Sequence, residues 1–277
     1  MLRINEYFRP QTLDDALTLL QRDQATVPLA GGTKLVPSRV PDAQAVVDLQ
    51  SLGLDELSAE GLHVRIGAMV PLQRLAESPP VGELLAESAH LDGPLTYRNA
   101  ATLGGIIATG DPLSHLLIAL LALDTEVHLR LPDPATVSLE RILDAPRNYL
   151  DGGLITGITA LSADGAPGTA IARVARTPRD KPIVAVAVRV TLEGNLCGGL
   201  RIALAGVADR PICAYQAEDR VKGQPCDKGL VDTAVAAVVE SLSPPSDFRA
   251  SSEYRREMAA VLTRRALMEA CEELEKG

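Results

Sequence analysis

The residues best suited to chemistry in this chain are two glycine pairs. Ala30-Gly31-Gly32-Thr33 follows a short apolar run at once. Thr102-Leu103-Gly104-Gly105 lies in a stretch of small and polar residues, with Ala108-Thr109-Gly110-Asp111-Pro112 just beyond. Glycine lets a backbone approach a ligand closely and adopt positive φ. Successive backbone N–H groups in such turns form a concave anion nest. Two facing nests would grip a pyrophosphate from both sides, with the hydroxyls of Thr33, Thr102, Thr109 and Ser114 as added donors. The plainer alternative for either pair alone is a tight strand-to-helix turn, because short glycine motifs match widely. Neither pair fits the Rossmann or P-loop spacing, and no nucleophile elbow is present.

Composition narrows the partners. The 277 residues carry 27 Lys and Arg against 36 Asp and Glu, a net charge of −9. That balance disfavours nucleic acid, which calls for a basic face. Tyr and Phe together with the absent Trp make only 3% of the chain, which leaves no base-stacking platform. The apolar fraction of 46% is ordinary for a globular protein with a real core. The first residues, Met1 to Glu6, lack an apolar leader segment, and the run Leu116 to Leu123 is far short of the about 20 residues a membrane span needs. Cys197, Cys213, Cys226 and Cys271 form no CxxC pair and the histidines are scattered, so no metal or cluster site is expected. The four cysteines read as reduced thiols of a cytoplasmic protein.

The elements that must position the glycines follow from pattern. The opening reads strand, helix, strand, loop. Thr12 to Asp15 fits a capping box ahead of Leu13, Ala16, Leu17 and Leu20 at helical spacing. Val27 to Ala30 and Ala45 to Leu49 are strand-length runs. Leu62, Val64 and Ile66 alternate with polar neighbours as in a half-buried strand, as do Val127, Leu129 and Leu131. Residues 71–90 read as helix broken by Pro79-Pro80, residues 96–105 as a loop, and Leu116 to Leu123 as a buried helix. After the Pro/Gly stretch at 165–168, Ile183–Leu192 and Leu196–Ala205 form a hairpin around Gly194. Two helices follow, one stopped by Pro244-Pro245 and one capped by Ser251 or Ser252. Strands, a hairpin and then helices make an α+β chain.

Ordered matches then add a resemblance. Phe8-Arg9-Pro10, Ala30-Gly31-Gly32-Thr33, and Arg98-Asn99 through Gly104-Gly105 to Asp111-Pro112 closely resemble the flavin-binding medium subunit of molybdenum hydroxylases. Arg173-Val174-Ala175-Arg176, Ile202 to Ala208 and Asp247 to Arg256 continue the likeness to the C-terminus. The resemblance implies a two-lobed FAD-binding domain of the p-cresol methylhydroxylase/vanillyl-alcohol oxidase type over residues 1–165, with lobes 1–56 and 57–165. A small C-terminal α+β domain follows over residues 166–277. It implies FAD as cofactor and an oxidoreductase subunit that takes electrons from an iron–sulfur small subunit. These pass to NAD or another acceptor. It further implies that the substrate is oxidised on a separate molybdopterin large subunit and that the three subunits assemble as a dimer of heterotrimers.

Carried over by position, Ala30, Gly31, Gly32, Thr33, Lys34 and Leu35 form one cofactor loop, and Thr102, Leu103, Gly104, Gly105 and Ile106 the other. Thr109, Ser114 and His115 add polar contacts, Ile155 packs on the flavin ring, and Arg173 brings a cation to that ring. The alternatives for the last two are a core strand residue and a surface salt bridge. Lys34, Ile106 and His115 depart from the family pattern, in which a carboxylate or small polar residue, Asn and Asp are expected. His115 is either an altered ribose contact or a helix-start residue without a role. The departures raise a second reading, an assembly subunit of the same fold that binds FAD weakly or not at all. A free-standing flavin oxidase is a third.

Overall fold

The computed structural model describes residues 4–22, 25–35, 43–165 and 168–276. Among the described residues, three sheets build the fold. The first is parallel, in the order β1-β3-β2, from β1 (Glu6–Phe8), β2 (Thr26–Leu29) and β3 (Ala45–Asp48). The central strand β3 is buried throughout, as parallel strands are. Helix α1 (Leu13–Leu20) packs Ala16 and Leu17 against it. Thr12 caps α1 by accepting from Asp15 N at 3.1 Å, and Thr12 Oγ1 donates to the Asp15 carboxylate at 2.7 Å. Only half of the expected capping box forms, because Asp15 takes the hydroxyl rather than a backbone N–H.

The second sheet is antiparallel, in the order β4-β5-β8-β6-β7. Its strands are β4 (Leu57–Glu60), β5 (His63–Gly67), β6 (Glu126–Arg130), β7 (Pro134–Ser138) and β8 (Leu154–Leu161). Val64 and Ile66 of β5 face inward while His63 and Arg65 face water; Leu62, expected to share their face, precedes the strand and is exposed. Helices α2 (Leu72–Ala76), α3 (Glu83–Leu91), α4 (Leu95–Arg98), α5 (Leu103–Thr109) and α6 (His115–Ala122) cover the inner face. The break at Pro79-Pro80 is a single 3₁₀ turn. The stretch read as loop, residues 96–105, instead holds α4 and the start of α5, so the second glycine pair sits inside a helix. Small residues with a threonine cap hid that short helix from pattern reading.

Two short helices, α7 (Leu139–Asp144) and α8 (Pro146–Leu150), lead into β8. The third sheet, order β12-β11-β10-β9, joins β9 (Thr169–Val174), β10 (Val184–Glu193), β11 (Leu196–Ala205) and β12 (Ile212–Cys213). The β10–β11 pair is the expected hairpin, with Gly194 at φ +64° in its turn. Both of its faces are buried, and by different side chains. Ala185 pairs with Ala205 and Ala187 with Ala203, a flat alanine face against the wholly buried α6. Val186, Val188 and Val190 pair with Leu204, Ile202 and Leu200 under the C-terminal helices. Small side chains let α6 approach closely and join the second and third sheets in one core.

Helices α9 (Tyr215–Val221), α10 (Lys228–Ser241) and α11 (Ser252–Lys276) close that outer face. Ser251 caps α11 by accepting from Tyr254 N at 3.2 Å. Buried Arg255 donates to the carbonyls of Ile183 and Gly206 and to Asp247, which ties α11 to the ends of β10 and β11. One expectation is overturned here. Cys226 and Cys271 form a disulfide, with Cα atoms 6.5 Å apart, while Cys197 and Cys213 are free. The pairing is not readable from spacing, because the packing of α11 beside the turn before α10 creates it. Among the described residues no helix is long and apolar enough to cross a membrane, and no group of metal-ligating side chains gathers.

Candidate functional site

The loop after β2 and the start of α5 meet across a cleft of about 240 Å³. Its walls are Pro28, Ala30, Gly31, Gly32, Thr33, Lys34, Leu35, Thr102, Gly105, Ala108 and Thr109. The two glycine pairs are therefore neighbours, as expected, but their chemistry is unequal. The N–H of Leu103 donates to Val70 O at 3.0 Å, that of Gly104 to Ala68 O at 2.8 Å, and that of Gly105 to Thr102 Oγ1 at 3.3 Å. The second pair therefore offers no open nest. In the first loop, by contrast, the N–H groups of Gly31, Gly32 and Thr33 meet no acceptor among the described residues. Buried or cleft-facing donors of this kind call for a partner. Gly32 takes the left-handed region, at φ +70°, which a glycine adopts without strain.

Each glycine has a distinct reason. A Cβ on Gly31 would lie 1.6 Å from Ala100 O, so the loop touches the backbone before α5 without room for any side chain. A Cβ on Gly104 would meet Ala68 at 2.9 Å, again within the protein. Gly105 differs: its Cβ would face only Thr102 Oγ1, at 3.1 Å, on the cleft wall. Thr109 lines the same wall, with its hydroxyl donating to Gly105 O at 2.7 Å.

The cleft opens at both ends. One end shares Pro28, Ala30, Gly105 and Ala108 with an apolar slot of about 130 Å³, completed by Leu49, Ala68, Met69, Gly104, Leu154 and Ile155 among others. The other end shares Thr33 and Lys34 with a polar chamber of about 460 Å³. Leu91, Asp92, Gly93, Pro94, Tyr97, Arg179 and Lys181 form the rest of that chamber. Buried Arg98 shapes its wall by donating to the carbonyls of His90 and Gly93, at 3.1 and 2.7 Å. Slot, cleft and chamber together suit an extended ligand with an anionic middle and a ring at each end.

Charge concentrates at the chamber. Asp111 Oδ2 lies 3.2 Å from Lys181 Nζ and 3.8 Å from Lys34 Nζ. Burial alone would push the Lys181 ammonium down, but the Asp92 and Asp111 carboxylates hold its pKa above the usual lysine range. Burial likewise works against ionised Asp92. Its contacts with His115, Lys181 and Ser114 nonetheless keep its carboxyl below the usual range. Burial raises the phenol of Tyr97.

Not every expected residue reaches the cavity. Leu103 and Ile106 are buried in the core of the second sheet. Ser114 and His115 are fully buried: Ser114 Oγ donates to Asp92 Oδ2 at 2.6 Å, and His115 N donates to Asp92 Oδ1 at 2.7 Å. Asp92 thus organises the start of α6, and neither residue lines slot, cleft or chamber. Arg173 is turned to its own loop, donating to Pro178 O at 2.7 Å. The cations at the chamber are Lys34, Arg179 and Lys181 instead. The crowding of basic residues at 173, 176, 179 and 181 signalled a cation, but not which one.

Comparison with known proteins identifies the family of the chain. Residues 2–159 match the family described as FAD binding domain in molybdopterin dehydrogenase, and residues 170–270 match the CO dehydrogenase flavoprotein C-terminal domain. The chain belongs to this flavoprotein family. It is 32% identical over 279 residues to the carbon monoxide dehydrogenase medium chain of Afipia carboxidovorans, covering 95% of both. It is 31% identical over 273 residues to the glyceraldehyde dehydrogenase medium chain of Sulfolobus acidocaldarius, covering 95% of this chain and 97% of that one. Its fold superposes on a carbon monoxide dehydrogenase structure from Hydrogenophaga pseudoflava with a TM-score of 0.89 at 29% identity, covering 98% of each chain. The cofactor of this oxidoreductase family is FAD, and the unpaired donors of the first loop, the bare wall at Gly105 and the ring-sized ends fit it.

Proposed function

We propose that this chain is the electron-transferring flavin subunit of a molybdenum hydroxylase, working with an iron–sulfur subunit and a molybdopterin subunit in the cytoplasm. The observation that carries this reading is the slot, cleft and chamber that share walls, with the N–H donors of Gly31, Gly32 and Thr33 free of an acceptor among the described residues on the cleft wall. In support of the partners, similar proteins are named as medium chains of dehydrogenases. Electrons enter from the iron–sulfur subunit and leave to NAD or another acceptor, and the assembly is a dimer of heterotrimers. The division into residues 1–165, with lobes 1–56 and 57–165, and 166–277 is part of the same reading.

Within the cavity, the loop from Ala30 to Lys34 holds the phosphates, and Gly105 gives them room. The small apolar slot suits the adenine, so that Ile155, expected from the sequence on the flavin ring, packs on the adenine instead. The larger chamber, lined by Lys181 of the third sheet's unit, suits the isoalloxazine. FAD supplies the redox chemistry when bound; the chain supplies position and charge. Lys181 stands where a cation stabilises negative charge on a reduced ring, a role the sequence had suggested for Arg173. The test is direct. The purified chain should carry the yellow flavin absorption or quench FAD fluorescence on titration, and should co-purify with iron and molybdenum when expressed beside its partner genes. A chain that takes up no FAD even in excess would favour the assembly-only reading.

A further inference from the structure

Resting on that reading, we propose that Phe248 and Arg249 form a docking knob on which the iron–sulfur subunit seats, through an apolar socket rimmed by carboxylates. Phe248 is 86% exposed, more than any other large apolar side chain among the described residues. Singly exposed apolar residues are normal on a protein surface, but this one stands on a loop with a built support. Asp247 Oδ1 accepts from Arg249 N at 2.9 Å, from Ala250 N at 3.1 Å and from Arg255 Nη2 at 2.6 Å. Asp247 N donates in turn to Ala250 O at 3.1 Å, which closes the loop on itself. Arg255 is buried, and its Nη1 donates to the carbonyls of Ile183 and Gly206. The Arg249 guanidinium lies 5.6 Å from the centre of the Phe248 ring. An aromatic ring and an arginine on a pre-ordered loop lose little freedom on binding, and these residue types dominate the energetic centres of protein interfaces.

The support sets the knob beside the chamber. Ile183 lies two positions after Lys181, which lines it. Gly206 N donates to Pro112 O, next to the Asp111 that pairs with Lys181. Buried Arg255 therefore ties the knob to the rim of the space proposed for the isoalloxazine. Electron transfer falls steeply with distance, so the subunit that seats here is the one that hands electrons to that ring. Charge defines its face. In a chain of net charge −9, residues 173–181 carry Arg173, Arg176, Arg179 and Lys181 against Asp180 alone. Arg179 and Arg249 make no ion pair among the described residues, and Arg176 reaches Asp180 only at 3.7 Å. A basic rim on an acidic chain selects an acidic partner face and speeds encounter with it.

The experiment uses the chain assembled with its iron–sulfur and molybdopterin subunits. Photo-crosslinking from Phe248→p-benzoylphenylalanine should join this chain to the iron–sulfur subunit. A crosslink to the molybdopterin subunit or to a second copy of this chain, or no crosslink, would overturn the proposal. In the flavin-loaded chain, Phe248→Ser should weaken binding of the iron–sulfur subunit about tenfold or more. Its FAD content and melting temperature should match wild type, because the side chain lies in water. Arg249→Ser should slow association at low salt, with the difference fading as salt rises. Wild-type affinity in Phe248→Ser would overturn the proposal. So would a loss of affinity that comes with a loss of FAD or of fold, which would mark a structural role. An unmodified chain that takes up no FAD or joins no iron–sulfur subunit would instead refute the functional reading itself, and shows this before any variant is compared.

Discussion

Gly105→Ala should separate stability from binding in opposite directions. Gly105 lies in the first turn of α5, where glycine costs roughly 0.5–1 kcal/mol relative to alanine. The new Cβ meets only the Thr102 hydroxyl, at 3.1 Å, which needs a shift of a few tenths of an ångström. Net stability should therefore stay level or rise by up to about 1 kcal/mol, about 2–4 °C in Tm. The same methyl stands on the wall shared by cleft and slot, on the proposed path of the cofactor. Crowding a close-packed contact by one methyl costs about 1–3 kcal/mol, so FAD should bind about 5- to 150-fold more weakly. Gly31→Ala is the counterpart. Its Cβ, 1.6 Å from Ala100 O, would force the backbones apart by about 2 Å and should leave little folded protein. Thermal melts and FAD titration on the same preparations decide it. A Gly105→Ala chain that melts as wild type and binds FAD at wild-type affinity would show that the cofactor does not lie between these walls.

Three further outcomes follow from the same geometry. Lys181→Met should lower the flavin midpoint potential by about 30 mV or more, since 30 mV corresponds to about 1.4 kcal/mol for a two-electron couple. Spectroelectrochemistry measures it, and an unchanged potential would remove Lys181 from the ring. Reduction of Cys226–Cys271, which closes a span of 45 residues, should cost about 2–4 kcal/mol of stability. Melts with and without reductant test this, and four titratable thiols in unreduced, unfolded protein would refute the pairing. Asp92, with its carboxyl held below the usual range, contributes stability above its unfolded pKa of about 3.8 that is lost as pH falls through the lower folded value. Asp92→Asn should therefore flatten the acid limb of the stability profile, and an unaltered limb would place acid sensitivity elsewhere.

Much of the architecture was legible because it rests on patterns that local chemistry enforces. The β10–β11 hairpin shows in its turn glycine and alternating apolar residues, and α6 in eight apolar neighbours. The hidden parts depend on tertiary approach. Nothing local distinguishes Ala185 and Ala203, which receive α6, from alanines elsewhere. Cys226 and Cys271 are partners only because α11 packs beside the turn before α10. The first glycine loop was legible as a candidate that the structure places on the cleft wall, whereas Lys181 was not. It enters the chamber from a turn far along the chain, while the more conspicuous Arg173 spends its guanidinium on the carbonyl of Pro178.

The case for a chain that keeps the fold but has lost FAD rested on Lys34, Ile106 and His115. Two of those positions face the protein's own interior. Ile106 fills the core beneath the second sheet, and His115 is sealed beside Asp92. An apolar residue in an apolar core needs no partner, whereas Ile106→Asn would bury an amide there and cost about 1–3 kcal/mol if it found none. At position 115 the carboxylate expected of the family is supplied from another helix end, since Asp92 accepts from both His115 N and Ser114 Oγ. Of the three, Lys34 alone lines the cavity, and it brings a positive charge to the proposed place of the phosphates. Taken by position in the sequence, the three changes look like lost contacts. Taken by their surroundings, two are packing solutions and the third would add affinity under the proposed placement of the phosphates, so none of them counts against the FAD-binding reading.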